Sequence, residues 1–345
     1  MIAQRLTTSI YNVSTQAQIR LVTVASTGRM YMNIYSYLLF FVPVFASMIV
    51  LEYQIGRKNS ILIYTKSETI ASFTIALGQN LISILNSSII SIIWIFFYQN
   101  RIFDISALYW WYFPVIFVTA DFLYYWYHRL NHEIRWLWAT HSVHHSTEEM
   151  NFLAGYRFGW TERVSMGHLI YSPLFLVGFH PNHLIFMLAI NIMYQSWLHT
   201  NLIGKLGWLE GIVNTPSAHR VHHGKNADYL DRNLGGIFMI WDRIFGTYVE
   251  ERDKFPVEYG LIKPSGSTNP VRIAFHEWIN ITRDIREYRV RDWPMLLFGP
   301  PGWAPNGAGV TSAQLRDRFR AGCCTELAIS KTQWTDASNL GKIGR

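Results

Sequence analysis

Charge is scarce in this chain: 15% of its 345 residues are Asp, Glu, Lys or Arg, against about 25% in an ordinary soluble domain. A surface with so few charges argues against a protein wetted on all sides. Cysteine is scarcer still, with only the adjacent pair Cys323 and Cys324. Neighbours in sequence rarely bridge, so a disulfide framework is excluded and the pair reads as an inert feature of the tail. The opening residues MIAQRLTTSIYNVSTQAQIR are polar and lack the compact apolar core of a signal peptide. No basic run is interleaved with aromatics in a nucleic-acid module, which removes nucleic acid as a partner. Internal repeats are absent, as are haem- and flavin-binding motifs.

Half of the residues are hydrophobic, and 14 Trp, 19 Tyr and 21 Phe are among them. That balance suits a chain partly dissolved in lipid, with aromatics at its interfaces. The net charge of +7 fits contact with anionic headgroups, or an ordinary excess of Lys and Arg on the cytoplasmic side. After a polar segment at 1–33, the run IYSYLLFFVPVFASMIVL (34–51) is about long enough to cross a bilayer. Residues 69–98 form a second apolar stretch, interrupted by Gln79, Asn80 and Asn86, and read as one long tilted helix or a broken one. A third span covers 105–127, with Pro114 as a kink. Transmembrane helices are therefore expected within 34–127. A further apolar region, 168–199, is divided at FHPNH and reads as a membrane hairpin returning to its own side. The polar, Gly- and Pro-punctuated C-terminal region, 251–345, is placed in the cytosol. Arg129, Arg135, Arg157 and Arg163 put the intervening loop on the same side.

Eight of the 13 histidines fall into three clusters: HRLNH (His128, His132), HSVHH (His141, His144, His145) and HRVHH (His219, His222, His223). On helices, spacings of three and four set the rings of each cluster largely on one face. Neutral imidazole ligates Fe, Cu, Zn and Ni alike. Eight imidazoles exceed the three or four protein ligands of one zinc site, whereas two ions with open positions fit the number. HRLNH lacks the Glu of HExxH, which disfavours a zinc protease. Paired haem ligation would leave most of the histidines unused. A histidine-rich membrane metal transporter is the rival from another class. It would carry ionisable residues inside several spans, whereas these clusters lie at the ends of spans and beyond.

ADFLYYWYHRLNHEIRWLWATHSVHHS and LEGIVNTPSAHRVHHGKNADYLDRNLGGIFMIWDRIFGTY resemble the histidine boxes of the fatty acid hydroxylase and sterol desaturase superfamily, membrane di-iron enzymes. Within it they look most like the alkylglycerol monooxygenase branch. The resemblance covers about residues 105–250. The segment NFLAGYRFGWTER (151–163) departs from that branch and is expected to line the substrate entrance. The resemblance implies an all-α integral membrane bundle whose histidine-rich catalytic region, 128–250, faces the cytosol. It also implies O2 activation at two irons and hydroxylation of an unactivated C–H bond in a membrane lipid. The branch implies cleavage of ether lipids, with tetrahydrobiopterin as reductant. Sterol desaturase-type oxidation, or hydroxylation of acyl chains or headgroups, is the alternative. Electrons would come from a donor protein or a diffusible reductant.

His199, in QSWLHTN, resembles an additional family histidine and is the ninth candidate ligand. Glu133 resembles an acidic position that follows the first box in the branch. Asp121 precedes His128 by seven residues and His132 by eleven, so all three share a helical face. Its carboxylate is expected to accept the outer N–H of one of those rings. Asn151 and Asn214 are candidates to orient the box loops, and Asp242 and Arg243 to hold the fold. His168, His180, His183 and His276 lie outside every box.

Overall fold

The computed structural model describes residues 43–322, with the side chains of 84–89 left aside. The segment 1–33, the start of the first apolar run, and Cys323 and Cys324 with the tail lie outside the described residues. Contacts divide the chain into two units, Met1–Ile55 and Gly56–Arg345. In the first, residues 43–55 are helical.

The second unit opens with α1 (Lys66–Gln99), started by the Thr65 side chain, which accepts from the Glu68 N–H. It is a single helix. Its polar interruptions are accommodated rather than broken: Asn80 donates back to the Ala76 carbonyl at 2.8 Å, and Gln79 donates to Glu162 at 3.4 Å. Next comes α2 (Tyr112–Glu133), where Pro114 sits in the first turn. There a proline costs no helical hydrogen bond, so the expected kink does not arise. Extended Ile134 separates α2 from α3 (Arg135–His141). The 168–199 region contains α4 (Ser172–Val177) and α5 (Pro181–Gln195). They join through Gly178, at φ 129°, where an added Cβ would strike the Phe103 carbonyl. The turn expected at 179–183 is there, with Pro181 as the first residue of α5.

The remaining helices are α6 (Pro216–His222), α7 (Ile240–Ile244), α8 (Pro270–Glu287), α9 (Trp293–Phe298) and α10 (Ser312–Arg320). Among the described residues there is no β-strand, only isolated bridges such as Val213 with Phe238. The all-α expectation holds. Among those residues, no helix is long and apolar enough to cross a membrane; the first expected span, 34–51, lies partly outside them.

The main core joins α1, α2, α4 and α5 through Trp94, Tyr112, Ile116, Phe175 and Leu184. Each such side chain contributes about 1.5–3 kcal/mol when fully buried. The amphipathic α8 buries Ile273, Ala274 and Ile281. It is tied to α3 by buried Arg135, which reaches Glu277 and Asp284 at 2.7 Å each. Leaving either acid unpaired beside that guanidinium would be costly.

Candidate metal centre

Nine histidines converge on the interior from four places in the chain. His128 and His132 lie on the last turns of α2, one turn apart. Helix α3 ends at His141, and a short 3-10 turn carries His144 and His145. His219 and His222 belong to α6, with His223 as its C-cap. His199 follows the end of α5. All but half-buried His141 are buried.

The rings form two groups rather than one. His128, His132, His141, His145 and His222 make the first; His144, His199, His219 and His223 make the second. Within each group one nitrogen per ring lies within 4.8 Å of all the others. The division follows spacing. In both HxxHH boxes the i and i+4 rings stay together, while the i+3 ring turns away to the other group. Positions i+3 and i+4 are about 100° apart around a helix, enough to aim them at different points. The expectation that each box presents largely one face holds for HRLNH and is corrected for HSVHH and HRVHH.

His128 Nε2 lies 3.0 Å from His141 Nε2, which lies 3.2 Å from His145 Nε2. In the second group, His199 Nε2 is 3.2 Å from His144 Nε2 and 2.9 Å from His219 Nε2. Two nitrogens bound to one ion at about 2.1 Å stand roughly 3.0 Å apart at a right angle and roughly 3.4 Å apart at the tetrahedral angle. The spacings match right-angled donors. Nε2 of His132, His222 and His223 is buried with no protein partner, as an imidazole aimed at a cation would be. The residues present fit a pair of metal ions.

The opposite ring nitrogens explain how the first group is oriented. His128 Nδ1 donates to the Leu234 carbonyl at 2.9 Å, and His222 Nδ1 to the Arg232 carbonyl at 3.0 Å. A carbonyl only accepts, so both rings carry the proton on Nδ1 and turn a lone pair inward. His132 Nδ1 faces Asp231 Oδ1 at 3.3 Å. Burial lowers the imidazole pKa to about 3 for His128. Burial, with the neighbouring rings adding to it, holds His141, His144, His145, His219, His222 and His223 well below the ordinary value. All are neutral near pH 7, which is the ligating form.

Asp121 does not accept from a histidine. Its oxygens take the backbone N–H of Ile237 (2.9 Å) and Phe238 (3.3 Å), Trp241 Nε1 (2.9 Å) and Asn191 Nδ2 (2.9 Å). Sharing a helical face with His128 is not enough, because the 237–241 segment lies against the carboxylate first. The Glu133 carboxylate is about half exposed and pairs with Arg129 at 2.8 Å. Asn214 donates to the Gly235 carbonyl at 2.7 Å, and Asn151 donates to the Ile63 carbonyl at 2.8 Å, so both brace loops beside the boxes. Asp242 accepts from the N–H groups of Leu234 and Gly235 at 2.7 Å each, fixing the backbone that receives His128. Burial raises its pKa to about 6. Arg243 donates to the Gly211 carbonyl at 2.6 Å.

Segment 151–163 supports the second group from behind. Gly155 lies so close to His199 that an added Cβ would stand 2.7 Å from Nδ1. Phe158 stacks on His144 at 5.9 Å between centroids. Buried Arg157 ties Ser146 to Glu68. A cavity of about 650 Å³ reaches the site, with His132, His145, His222 and His223 among its lining residues. Its outer wall comes from α8 and the 260–263 and 301–312 loops, and no residue of 151–163 lines it. The segment expected at an entrance is therefore not part of this cavity.

His276 lies outside the boxes but lines the cavity. His183 pairs with the Tyr112 hydroxyl at 2.9 Å, His180 caps α5, and His168 lies 3.7 Å from Glu162. None of these joins either of the two histidine groups. Sequence reasoning passed over Asp231. The available signal was the alternation of Asp231 and Asn233 in DYLDRN, two residue types that tolerate left-handed backbone.

The fatty acid hydroxylase family model matches residues 113–247, which contain every one of the nine histidines. Alkylglycerol monooxygenase of Homo sapiens is 37% identical over 221 residues, covering 61% of this chain and 47% of the relative. The Danio rerio alkylglycerol monooxygenase is 40% identical over 201 residues, covering 58% and 44%. An ornithine lipid hydroxylase of Rhizobium tropici is 31% identical over 134 residues, covering 38% and 40%. The chain thus spans less than half the length of these curated relatives. No solved structure matches it. With its three boxes inside the matched segment, the chain is similar over residues 113–247 to the fatty acid hydroxylase family, and over a longer stretch to the alkylglycerol monooxygenases.

Proposed function

We propose that this protein is a di-iron monooxygenase that hydroxylates a membrane lipid with O2. The observation that carries the reading is the pair of imidazole groups, with five and four donors aimed inward and a cavity leading to rings of both. All-nitrogen donation suits iron in either redox state. Two irons would supply the activation of O2 needed to attack an unreactive C–H bond.

The chain's own contribution is positional. His128 and His222 are locked as Nδ1–H tautomers, so their donor nitrogens need no reorganisation. Neutral buried rings keep a lone pair free to bind a cation. The cavity carries Trp138, Leu261, Ile262 and Trp303 along with Lys263, Glu277 and Arg283, a mixture suited to a molecule with an apolar part and a polar end.

The ether-lipid activity named for the alkylglycerol monooxygenases is the substrate class we propose, with oxidation at the carbon bearing the ether oxygen. Hydroxylation of another membrane lipid, at an acyl chain or a headgroup, is the alternative, in line with the similarity to an ornithine lipid hydroxylase. No flavin or haem motif is present in the sequence, so a diffusible reductant such as tetrahydrobiopterin, or a donor protein, supplies electrons. Membrane residence is part of the proposal. Ile70, Phe73, Phe96, Trp110, Val118 and Phe186 are exposed apolar residues along α1, the loop after it, α2 and α5, a surface that lipid would cover. Orientation toward the cytosol rests on the Arg-rich loops.

The test is anaerobic purification with iron supplied, followed by metal analysis and an O2-dependent assay on alkylglycerol with tetrahydrobiopterin. The expected result is about two irons per chain and release of an aldehyde. One tightly held zinc with no second metal site would sink the di-iron reading.

A further inference from the structure

Three rings of the five-histidine group are held from outside by one short stretch, residues 230–234. His132 meets the Asp231 side chain, His222 the Arg232 carbonyl and His128 the Leu234 carbonyl. Asp231 and Asn233 adopt left-handed backbone, with φ of 53° and 54°. Non-glycine residues persist there only where the surroundings over-determine them. At the far end the surroundings are Asp242, which holds Leu234 N–H, and the Asn233 side chain, which donates to Ala218 and Val249 carbonyls at 3.0 and 2.7 Å.

At the near end the Arg316 side chain does the holding. Arg316 Nη1, from α10, donates to the Leu230 carbonyl at 3.0 Å and to Asp231 Oδ2 at 2.8 Å. Asp231 therefore gives one oxygen to Arg316 and the other to His132. Both members of the Arg316–Asp231 pair are less than one-fifth exposed, so this is not a solvated surface pair. Helix α10 is independently anchored by its Thr311–Gln314 capping box and by buried Leu315. It lies outside the segment matched by the family model. The four-histidine group has no matching device on two of its rings: Nδ1 of His144 and of His219 is buried without a partner.

We infer that Arg316, through Asp231, is a positioning residue for the five-histidine metal site and not for the four-histidine site. The guanidinium holds the carboxylate in place, the carboxylate holds His132 as the Nδ1–H tautomer, and Nε2 is left facing the metal. The inference rests on the reading that the nine histidines bind two ions.

The test is an anaerobic titration of the full chain with Co2+, following visible absorption and bound metal. Wild type should take up two equivalents. Arg316→Gln should weaken one of them about 10–100-fold, as loss of an outer partner does, and leave the other unchanged. The weakened equivalent should be the one lost in His222→Ala, not the one lost in His219→Ala. Arg316→Lys, which restores the charge, should recover most of the affinity. Leu315→Ala disturbs the same helix without touching the pair, so it should lower the thermal midpoint while preserving both equivalents. If Arg316→Gln does not fold, Asp231→Asn provides the same reading, because Asn accepts the left-handed conformation and keeps a weaker acceptor for His132. Wild-type titrations in both polar variants would overturn the inference, as would equal weakening of both equivalents in Arg316→Gln and Leu315→Ala. A wild-type protein that binds no pair of ions would instead sink the reading of the nine histidines, and the inference with it.

Discussion

The two histidine groups are built from the same boxes but supported in opposite ways. In the five-histidine group, three rings hand their outer N–H to residues 231, 232 and 234, which are fixed in turn by Arg316, Asn233 and Asp242. In the four-histidine group, support is steric: Phe158 stacks on His144 and Gly155 lets His199 approach. Hydrogen bonds fix a tautomer and a direction, whereas packing fixes only a position. The first group is therefore preorganised electronically and the second by shape.

The sharpest way to break this comparison is to remove one ligand from each group. His222→Ala and His144→Ala should each cut product formation at least about 100-fold, since losing a ligand costs no less than losing its outer partner. Each should lower bound iron while the chain still folds, as metal analysis on folded protein would show. Equal iron content in both variants and wild type would dissolve the distinction between groups.

Acid should affect the two groups alike. Burial depresses the folded pKa of His141, His144, His145, His219, His222 and His223, and brings His128 to about 3. The unfolded chain binds these protons from about pH 6.5 downward while the folded chain does not. The associated stability is therefore complete above that pH and falls below it, by up to about 1.4 kcal/mol per pH unit for each ring. Thermal midpoints of metal-free protein from pH 8 to pH 5 measure this. A flat profile would mean that the folded rings protonate freely.

A smaller and one-sided effect is expected from Gly155→Ala. The new methyl would meet His199, so the four-histidine site alone should lose affinity, by about 10-fold on the scale of outer-shell changes. A Co2+ titration that shows both sites weakened would refute the division of support.

Asp121→Asn should spare both groups. Its carboxylate serves Ile237, Phe238 and Trp241, so the loss should appear as about 2–3 kcal/mol of stability, with iron per folded chain unchanged. Reduced iron content at limiting supply would restore a role next to the metal. The least effect is expected from Glu133→Gln, an i,i+4 partner of Arg129 worth less than about 0.5 kcal/mol. If activity falls while iron content holds, Glu133 acts on substrate or reductant and not on the metal.

Much of the fold was legible because it depends on local pattern. The turn before Pro181 and the helix carrying HRLNH follow from turn chemistry and spacing. The ambiguity at 69–98 was not legible, because Gln79 finds its partner in Glu162, far along the chain. Pro114 looked like a kink only because the start of α2 could not be read from an unbroken aromatic run. Among candidate ligands, all nine histidines were visible as residue types in clusters. Their distribution between two groups was not, since it depends on where α3 ends and on how α6 lies against it.

By itself the sequence determined which imidazoles are candidates to hold metal: at spacings of three and four within each box, they need only local helix geometry to be brought near one another. The tertiary structure alone decided what stands behind them. Asp121 was drawn to the 237–241 backbone, while Asp231 was placed between His132 and Arg316. A carboxylate takes whichever N–H groups the packed chain brings within reach, and that is settled by contacts between distant segments.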